Sequence, residues 1–456
     1  MTAREVATDG APATTAGPGR VAFYTLGCKV NSYDTEAVAS LFVRSGYQVV
    51  SFDEDAEVYV INTCSVTNMG ARKSRQVIRR AIKRNPSAVV VAMGCYAQYA
   101  PDEVAAIPGV DVVVGTHRRG EIVDLVEEVR RTKRPVRAVV DKIFKVREFE
   151  ELPVFSFEGR TRAVLKIQDG CNEFCSFCQI PWARGRNRSR RPENVVEQVR
   201  LLAEAGYKEI VLTGVHLGTY GVDLEGEMNL ARILRMIHDT PGIERIRLSS
   251  VDPHEVTDEL IETVADLPKI CRHLHIPAQA GDDDVLLLMR RRNSVAEFHE
   301  VVQRVRRVMP EVAITTDIIV GFPGETESHF ENTVRFCAEI GFSRIHVFPY
   351  SVRKGTLAEK LPGHVPDEVK QERTERLISL GRKLSYNYNA RLVGREVTVL
   401  AEEGQPEHGK LEGLTDTYVR VVFAGKPELC GRFVRVAVER ATADGVSGHL
   451  APSEAP

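Results

Sequence analysis

The sequence has 456 residues, of which 43% are hydrophobic, and a formal net charge of −2. A chain of this length is expected to form about three domains, and a charge near zero neither requires nor excludes a nucleic-acid partner. It has no apolar run long enough to span a bilayer and no signal peptide, so membrane and secreted proteins are excluded and a cytoplasmic protein is predicted. In a reducing compartment its nine cysteines are expected to be ligands or core residues rather than disulfides.

The first 20 residues are rich in Ala, Thr, Pro and Gly and are predicted to form a disordered tail. A first domain is predicted over 21–145, because β-rich runs alternate there with helical patterns, which is typical of parallel βαβ units. The β-rich runs are 21–28, 58–64, 89–95 and 110–116. The stretch from 132 to 160 mixes charge with Pro135 and Pro153 and is predicted to be a linker packed along the next domain.

A second domain is predicted over 146–390, where the alternation of strand and helix occurs six times. Six units are too few to close an eight-stranded barrel, so an open, partial barrel is expected, with functional residues at the C-terminal ends of its strands. Its β-rich runs are 162–171, 209–218, 245–251, 273–281, 313–324 and 344–351. A charged helix from Asp367 to about Ala390 leads to a third domain over 391–450, whose short alternating strands predict a small antiparallel β-barrel. The overall fold class is α/β.

Three cysteines follow the first of these strands at once, in the run DGCNEFCSFC. Cys171, Cys175 and Cys178 can turn around one metal centre on a single loop. A [4Fe–4S] cluster held by three thiolates keeps one iron open, and that iron could chelate S-adenosylmethionine (SAM) and pass an electron to its sulfonium. The alternative is a zinc knuckle, but structural zinc takes a fourth Cys or His nearby, and Trp182 and arginines follow instead. The loop therefore predicts a catalytic iron–sulfur cluster.

Three more cysteines each lie at or just beyond the end of a separate β-rich run. Because the C-terminal ends of parallel strands share one edge of a sheet, Cys28, Cys64 and Cys95 are expected to converge there. The alternative is three buried, inert cysteines, a common fate for free Cys. Recurrence at one topological position favours a second three-thiolate cluster site. The other three cysteines, Cys271, Cys337 and Cys430, have no such pattern, and Cys337 is predicted to be a core residue.

The remaining strand ends of the second domain could form a SAM pocket. Thr213 and Gly214 end the second strand, where bare backbone could approach the methionine amino group. Gln279 and Gly281 end the fourth strand, with Gln279 near ribose hydroxyls, and the run 317–321, ending at Gly321, offers apolar residues to adenine. Each of these residues alone is better explained as an ordinary turn residue at the end of a barrel strand. Their position on the same edge of the barrel is what favours a binding site.

Two basic runs without acidic residues adjoin the two cysteine sets. The first spans 72–84, and the second follows the cysteine loop. Such runs are usually solvated faces, but arginine forks suit phosphates, and two runs in these places favour contact with RNA. The candidate RNA-binding residues are Arg72, Lys73, Arg75, Arg79, Arg184, Arg186 and Arg188.

The chain from 21 to about 450 resembles the radical-SAM methylthiotransferases, which combine an N-terminal three-cysteine domain, a radical-SAM domain and a TRAM domain. The motifs behind this resemblance are TLGCKVNSYDTE, INTCSVT, RKSRQVIRRA, GCYAQ, GCNEFCSFC with the following IPWARGRNRSR, and IVGFPGETE. Within the family, Lys29 and the KSRQ run favour the tRNA enzymes that act on threonylcarbamoyladenosine at position 37, beside the anticodon. Relatives that act on isopentenyladenosine, or on a ribosomal-protein aspartate, are the alternatives. A non-catalytic iron–sulfur RNA-binding protein is the alternative from another class.

The resemblance implies two [4Fe–4S] clusters and SAM as cofactors and tRNA as partner. The cluster on Cys171, Cys175 and Cys178 would cleave SAM to a 5′-deoxyadenosyl radical, and the cluster on Cys28, Cys64 and Cys95 would carry or deliver the extra sulfur. A second SAM would supply the methyl group. The sulfur donor and the reductant, flavodoxin-like or ferredoxin-like, are not identified, and a monomer is expected. One departure is in the fourth strand, where serines usual in the family are replaced by Ala278 and Ala280, so hydroxyl contacts to SAM or substrate are expected to be missing.

Overall fold

The computed structural model describes residues 19–65, 68–154, 161–404 and 409–452. The predicted tail lies almost entirely outside these residues. Within them, no helix combines the length and the apolar character needed to cross a membrane.

The N-terminal part is a six-stranded sheet in the spatial order β2-β1-β3-β4-β5-β6, and all its pairs are parallel. The strands are β1 (Arg20–Thr25), β2 (Gln48–Val50), β3 (Val58–Thr63), β4 (Val89–Gly94), β5 (Val112–Val114) and β6 (Val136–Val139). The helices are α1 (Lys29–Arg44), α2 (Asn68–Arg84), α3 (Cys95–Tyr99), α4 (Pro101–Ala105) and α5 (Ile122–Thr132). β3 and β4 are buried along their whole length because separate apolar clusters cover both faces of the sheet, which explains their continuous apolar runs.

The central part is an open barrel of six parallel strands. β7 (Arg162–Lys166), β10 (Glu209–Thr213) and β11 (Arg245–Leu248) form one half, and β12 (His273–His275), β13 (Ala313–Val320) and β14 (Arg344–Pro349) form the other. A bridge between Ser250 and His275 joins the halves. The short pair β8 (Gln168–Asp169) and β9 (Arg188–Ser189) flanks the cysteine loop. The helices are α6 (Ile180–Arg184), α7 (Pro192–Glu204), α8 (Leu230–His238), α9 (Asp258–Asp266), α10 (Asp283–Met289), α11 (Val295–Val308), α12 (Glu327–Ile340) and α13 (Asp367–Ala390).

The C-terminal part is a closed five-stranded barrel in the order β15-β16-β17-β19-β18. Its strands are β15 (Glu396–Glu403), β16 (Lys410–Leu414), β17 (Arg420–Ala424), β18 (Phe433–Thr442) and β19 (Gly445–Leu450). Four of its five pairings are antiparallel, and β17 pairs with β19 in parallel. A ring with an odd number of strands cannot alternate direction all the way round, so closure requires one parallel pair.

Two polar interfaces join these three parts. Arg245 and Arg247 at the start of β11 donate to the carbonyl oxygens of Leu414 (2.9 Å) and Thr415 (3.0 Å) in the C-terminal barrel. On the other side, α1 packs along β7, and the Lys166 ammonium of β7 lies 2.5 Å from a carboxylate oxygen of Asp34 on α1. The N-terminal sheet is thereby fixed against the open side of the partial barrel.

The predicted α/β fold class is confirmed, including the partial barrel and the small C-terminal barrel. All six predicted barrel strands are present. The linker prediction missed β6, which adds a sixth strand to the N-terminal sheet. Leu152 and Val154 of the same stretch pack into the core of the partial barrel, as the linker prediction expects.

Candidate iron–sulfur centres and the cleft between them

The first site is the loop trio, Cys171, Cys175 and Cys178, between β8 and α6. Gly170 begins this loop with a φ of +76°, and a Cβ there would lie 1.9 Å from the carbonyl oxygen of Arg186, so only glycine fits. The amide of Glu173 donates to Cys171 Sγ (3.3 Å), and the amide of Ile180 donates to Cys178 Sγ (3.4 Å). Such N–H bonds stabilise sulfur in its thiolate form, which is the form that binds iron.

Two cationic side chains, His216 and Arg291, lie beside the loop trio, and both contact the carboxylate of Asp252. His216 Nδ1 lies 3.6 Å from Cys171 Sγ, and its Nε2 lies 3.3 Å from Asp252. Arg291 lies 3.9 Å from Cys175 Sγ and 3.1 Å from the same Asp252 carboxylate. Burial opposes a charge on His216, but Asp252, Cys171 and Glu255 outweigh it and raise the pKa of His216 to about 12. The imidazolium and the guanidinium therefore both offset the negative charge of thiolate ligands.

The second site is the edge trio, Cys28, Cys64 and Cys95, at the C-terminal edge of the N-terminal sheet. Cys64 and Cys95 directly follow β3 and β4, and Cys28 precedes α1. A Cβ on Gly27 would lie 3.2 Å from Cys64 Sγ, so the first two segments are in close contact. Asn31 ties the edge together, because its amide donates to the Thr63 carbonyl (3.1 Å) and its Oδ1 lies 3.7 Å from Cys95 Sγ.

A buried guanidinium from the partial barrel reaches the edge trio. Arg184 is 1% exposed, and its Nε donates to Cys95 Sγ at 3.3 Å. Burial raises the pKa of the Cys95 thiol to about 11, and Arg184 opposes that rise. The other nitrogens of Arg184 pair with Asp34 (2.9 Å) and Asp169 (3.0 Å). Arg184 therefore links the edge trio to both sides of the domain interface.

Both trios fit an iron–sulfur cluster better than a single ion. Among the described side chains, neither trio belongs to the groups whose ligand atoms all lie within 4.8 Å of one another. A tetrahedral zinc ion with Zn–S bonds of about 2.3 Å would need sulfur atoms closer than that. Thiolates, amide donors and nearby cations are the environment that iron–sulfur clusters use.

A cleft of about 900 Å³ lies beside the loop trio at the C-terminal end of the partial barrel. Cys178 and Arg353 line it, and Arg353 Nη1 donates to the carbonyl oxygen of Ser65 (3.1 Å), beside Cys64. Burial lowers the pKa of Arg353, and Cys178 of the loop trio and Cys64 of the edge trio both raise it. One guanidinium therefore lies between the loop trio and the edge trio.

The predicted SAM residues divide into two groups. Gln279, with a φ of +69°, lines the cleft together with Asp317 and Ile319. Thr213, Gly214 and Gly321 are not among the residues that line it. Thr213 is buried, and a Cβ on Gly214 would lie 2.7 Å from Gln168 Oε1, so that glycine serves close packing.

The two alanines that depart from the family pattern face away from the cleft. Ala278 and Ala280 are almost fully buried in two apolar core clusters. A hydroxyl at either position would point into apolar packing, so the departure removes no polar group from the cleft surface.

The predicted RNA-binding residues fall into an exposed group and a buried group. Arg72, Lys73, Arg79 and Arg186 are exposed, and Arg75 is partly exposed and bonded to Tyr96 Oη (2.9 Å). Arg184 and Arg188 are wrong as phosphate contacts, because both are buried beside Asp169. Their sequence spacing resembles a basic surface run, but Arg184 at the end of α6 and Arg188 in β9 both turn inward to the Asp169 carboxylate.

Sequence reasoning missed the side chains that surround the cysteines. His216 and Asp252 come from two strand-to-helix connections, Arg291 comes from the connection between α10 and α11, and none of them belongs to a local motif. Arg353 follows β14 and meets the edge trio only through the tertiary fold. Their one sequence signal is position after a barrel strand, which His216, Asp252 and Arg353 share with many other residues.

The partial barrel with a three-cysteine loop after its first strand defines a radical-SAM enzyme. In comparisons with known families, residues 165–337 match the Radical SAM superfamily, and residues 20–115 match the Uncharacterized protein family UPF0004. A solved structure of the radical SAM methyltransferase TsrM from Kitasatospora setae, with cobalamin and a [4Fe-4S] cluster bound, has the same fold. It gives a TM-score of 0.53 at 17% identity and covers 72% of this chain and 74% of that one.

Full-length relatives narrow the class. The chain is 48% identical to a threonylcarbamoyladenosine tRNA methylthiotransferase, MtaB, of Bacillus subtilis, over 92% of this chain and 94% of the relative. It is 43% identical to the MtaB of Aquifex aeolicus, over 92% and 100%. It is also 38% identical to a tRNA-2-methylthio-N(6)-dimethylallyladenosine synthase of Moorella thermoacetica, over 91% and 95%. The chain belongs to the family of radical-SAM tRNA methylthiotransferases.

Proposed function

We propose that this chain adds a methylthio group at C2 of threonylcarbamoyladenosine at position 37 of tRNA. Two relatives at 48% and 43% identity are threonylcarbamoyladenosine tRNA methylthiotransferases, which supports this substrate. The observation that carries the proposal is Arg353, which lines the cleft together with Cys178 and donates to the carbonyl oxygen of Ser65, next to Cys64. A simple electron carrier has no need for two three-thiol sites that lie close to one guanidinium.

The loop trio would hold the cluster that binds SAM. When bound, such a cluster chelates SAM through its open iron and supplies the electron that breaks a carbon–sulfur bond of the sulfonium. His216 and Arg291 offset the charge of Cys171 and Cys175 from behind the loop. Gln279 offers an amide to the cleft, and Ile319 and Phe348 offer apolar surface on which an adenine ring can pack.

The edge trio would hold a second cluster, whose role is to carry the sulfur that is transferred. Cys28 is exposed, while Cys64 and Cys95 are buried. This arrangement leaves one side of the trio open and holds the other two ligands firmly in the sheet edge. Arg184 would stabilise the thiolate of Cys95 from the buried side.

The RNA would bind beside the cleft along α2. Arg72, Lys73 and Arg79 are exposed on this helix, and Met69 at its start lines the cleft. Near the loop trio, the exposed rings of Phe174 and Trp182 meet edge to face at 5.6 Å, and Arg186 is also exposed. Basic side chains with exposed aromatic rings suit single-stranded RNA such as an anticodon loop.

The predicted domain boundaries belong to the same proposal: 21–145 for the three-cysteine domain, 146–390 for the radical-SAM domain and 391–450 for a TRAM domain. A separate sulfur donor, an external reductant and a monomeric state are part of it as well.

Nucleoside mass spectrometry tests the substrate. Transfer RNA from a strain that lacks the gene should lose 2-methylthio-threonylcarbamoyladenosine and keep the unmethylthiolated nucleoside, and the wild-type gene should restore it. Loss of the dimethylallyl product instead would assign the alternative substrate. Unchanged content of both nucleosides would refute action on tRNA.

A further inference from the structure

A column of polar side chains fills the partial barrel below the cleft. Alternate residues of a strand point to one face, so His273 and His275 of β12 share the barrel interior with Thr315 and Asp317 of β13. Thr315 Oγ1 lies 3.0 Å from His273 Nε2 and 2.9 Å from His275 Nδ1. His275 Nε2 lies 3.3 Å from Asp317 Oδ1, and its ring centroid lies 5.8 Å from that of His346 on β14. Barrel interiors are commonly apolar, so this polar column requires a reason.

The column is continuous with the cleft and closed at its lower end. Asp317, Ile319 and Phe348 line the cleft, and the last two lie two residues beyond Asp317 and His346 on the same strand faces. At the other end, Tyr418 of the C-terminal barrel stacks on His273, with ring centroids 4.8 Å apart. A group on a base in the cleft could therefore extend toward this column, which we call the polar chamber, and would meet it first at Asp317.

Lys29 reaches this chamber through the open side of the partial barrel. It is the first residue of α1, next to Cys28, and α1 packs along β7 at the edge where β7 and β14 are not paired. Its Nζ lies 5.9 Å from the centroid of the Tyr418 ring. Over the described residues, no carboxylate oxygen lies within 4.0 Å of this ammonium. Lys29 is thus an exposed cation without a carboxylate partner beside a chamber to which all three domains contribute residues.

The imidazoles around Lys29 indicate a positive potential. Burial lowers the pKa of His346, Asp317 raises it, and His275, Arg344 and Lys29 lower it further. Burial also holds the pKa of His273 well below its ordinary value, and Lys29 is among the cations that add to this effect. Neutral imidazoles beside an unpaired ammonium are suited to receive an anion together with hydrogen-bonding groups.

We propose that Lys29 binds a carboxylate carried by the base in the cleft and thereby selects a threonylcarbamoyl over a dimethylallyl substituent. This inference rests on the proposed function. A threonylcarbamoyl group has one carboxylate, one hydroxyl and urea N–H groups. Asp317 and the imidazoles can form hydrogen bonds with the hydroxyl and with the urea N–H groups. A dimethylallyl group has no polar atom and would leave the chamber unpaired, which disfavours its binding.

The test varies the substrate before it varies the protein. Anticodon stem-loops that carry threonylcarbamoyladenosine, its methyl ester or dimethylallyladenosine are titrated into the reconstituted enzyme, and dissociation constants are measured by fluorescence anisotropy. Esterification should weaken binding about tenfold, because it removes one charge-assisted contact. Equal binding of the acid and the ester by the wild-type protein would overturn the proposal, whether or not any variant folds.

Variants then assign the contact to Lys29. Lys29→Gln should bind the acid about tenfold more weakly and should no longer distinguish acid from ester, whereas Lys29→Arg should keep most of the difference. Lys133→Gln is the matched control, because it removes the same charge from an exposed position at the end of α5 in the same domain. A full acid–ester difference in Lys29→Gln would overturn the assignment.

Product formation separates this inference from the proposed function. If wild-type enzyme gives no methylthio product on the threonylcarbamoyl stem-loop, the proposed function fails. If it converts acid and ester with the same KM, the proposed function stands and the role of Lys29 is refuted.

Discussion

The loop trio and the edge trio offer the same three thiols but are built in opposite ways. The loop trio lies within eight residues of one connection, and backbone amides donate to two of its sulfur atoms. The edge trio is assembled from the ends of three strands that are 67 residues apart at the extremes, and its charge balance depends on Arg184 from another domain. A local loop can form its site early, whereas the edge trio exists only once the sheet and the domain interface are complete. The two sites should therefore respond differently to mutation.

The largest effect is expected from the loop trio. Cys175→Ala removes one of its three ligands, so formation of 5′-deoxyadenosine from SAM should fall by more than about a hundredfold, and iron content should fall from about eight to about four per chain. Anaerobic reconstitution with a strong reductant, followed by chromatography and iron analysis, measures both. Cys430→Ala is the matched control, since Cys430 lies outside both trios. Full SAM cleavage by Cys175→Ala would remove the loop trio from the reaction.

The edge trio should separate the two halves of the chemistry. Cys64→Ala should keep SAM cleavage within about a factor of three, because the loop trio is intact, and should give no methylthio nucleoside. Quantifying 5′-deoxyadenosine and modified nucleoside in one reaction gives both values. Methylthio product from this variant would show that the edge trio does not supply the sulfur.

The ion pairs at the domain interface beside the edge trio should contribute strongly to the free energy of unfolding. Asp34 is 3% exposed and pairs with Arg119, Lys166 and Arg184, so Asp34→Asn leaves buried cations without a partner. Removing one partner of a buried ion pair costs about 3 kcal/mol of the free energy of unfolding. Urea denaturation followed by circular dichroism measures the loss, and an unchanged midpoint would show that the network does not stabilise the interface. Glu197→Gln, on the exposed face of α7, is the control.

The same carboxylate predicts a pH dependence. Burial alone would raise the pKa of Asp34, but Arg119, Lys166 and Arg184 outweigh it and hold the pKa below its ordinary value. The unfolded chain, with an Asp pKa of about 3.9, then takes up the proton first as the pH falls. The stability from Asp34 is therefore present above about pH 4 and is lost in more acidic solution. Between pH 5 and pH 3 the urea midpoint should therefore fall less for Asp34→Asn than for wild type. The difference between the two falls is the contribution of this one carboxylate.

The contrast between the trios also explains what the sequence could predict. The order of strands and helices follows from runs such as Val89–Gly94, and Cys171, Cys175 and Cys178 are recognisable because their spacing is local. The edge trio could be predicted because a parallel sheet aligns its strand ends. Arg184 could not, because its burial depends on the turn between β8 and β9 and on Asp34, which lies 150 residues earlier. The same holds for Lys29, whose sequence neighbour is a cluster cysteine but whose spatial neighbours are barrel histidines.

The smallest effect is expected where the two trios meet. Arg353 is close to both, and a cation stabilises the more negative, reduced form of a cluster. Arg353→Gln should therefore lower the reduction potentials of both clusters by on the order of 50 mV, about 1 kcal/mol for one electron. Redox titration followed by electron paramagnetic resonance resolves the two signals, and Arg200→Gln, on the surface of α7, is the control for loss of one charge. A shift in one cluster alone would place Arg353 beside that site only. A shared shift would mean that one side chain sets the electrostatic balance between the loop trio and the edge trio, the two sites to which we assign SAM cleavage and sulfur transfer.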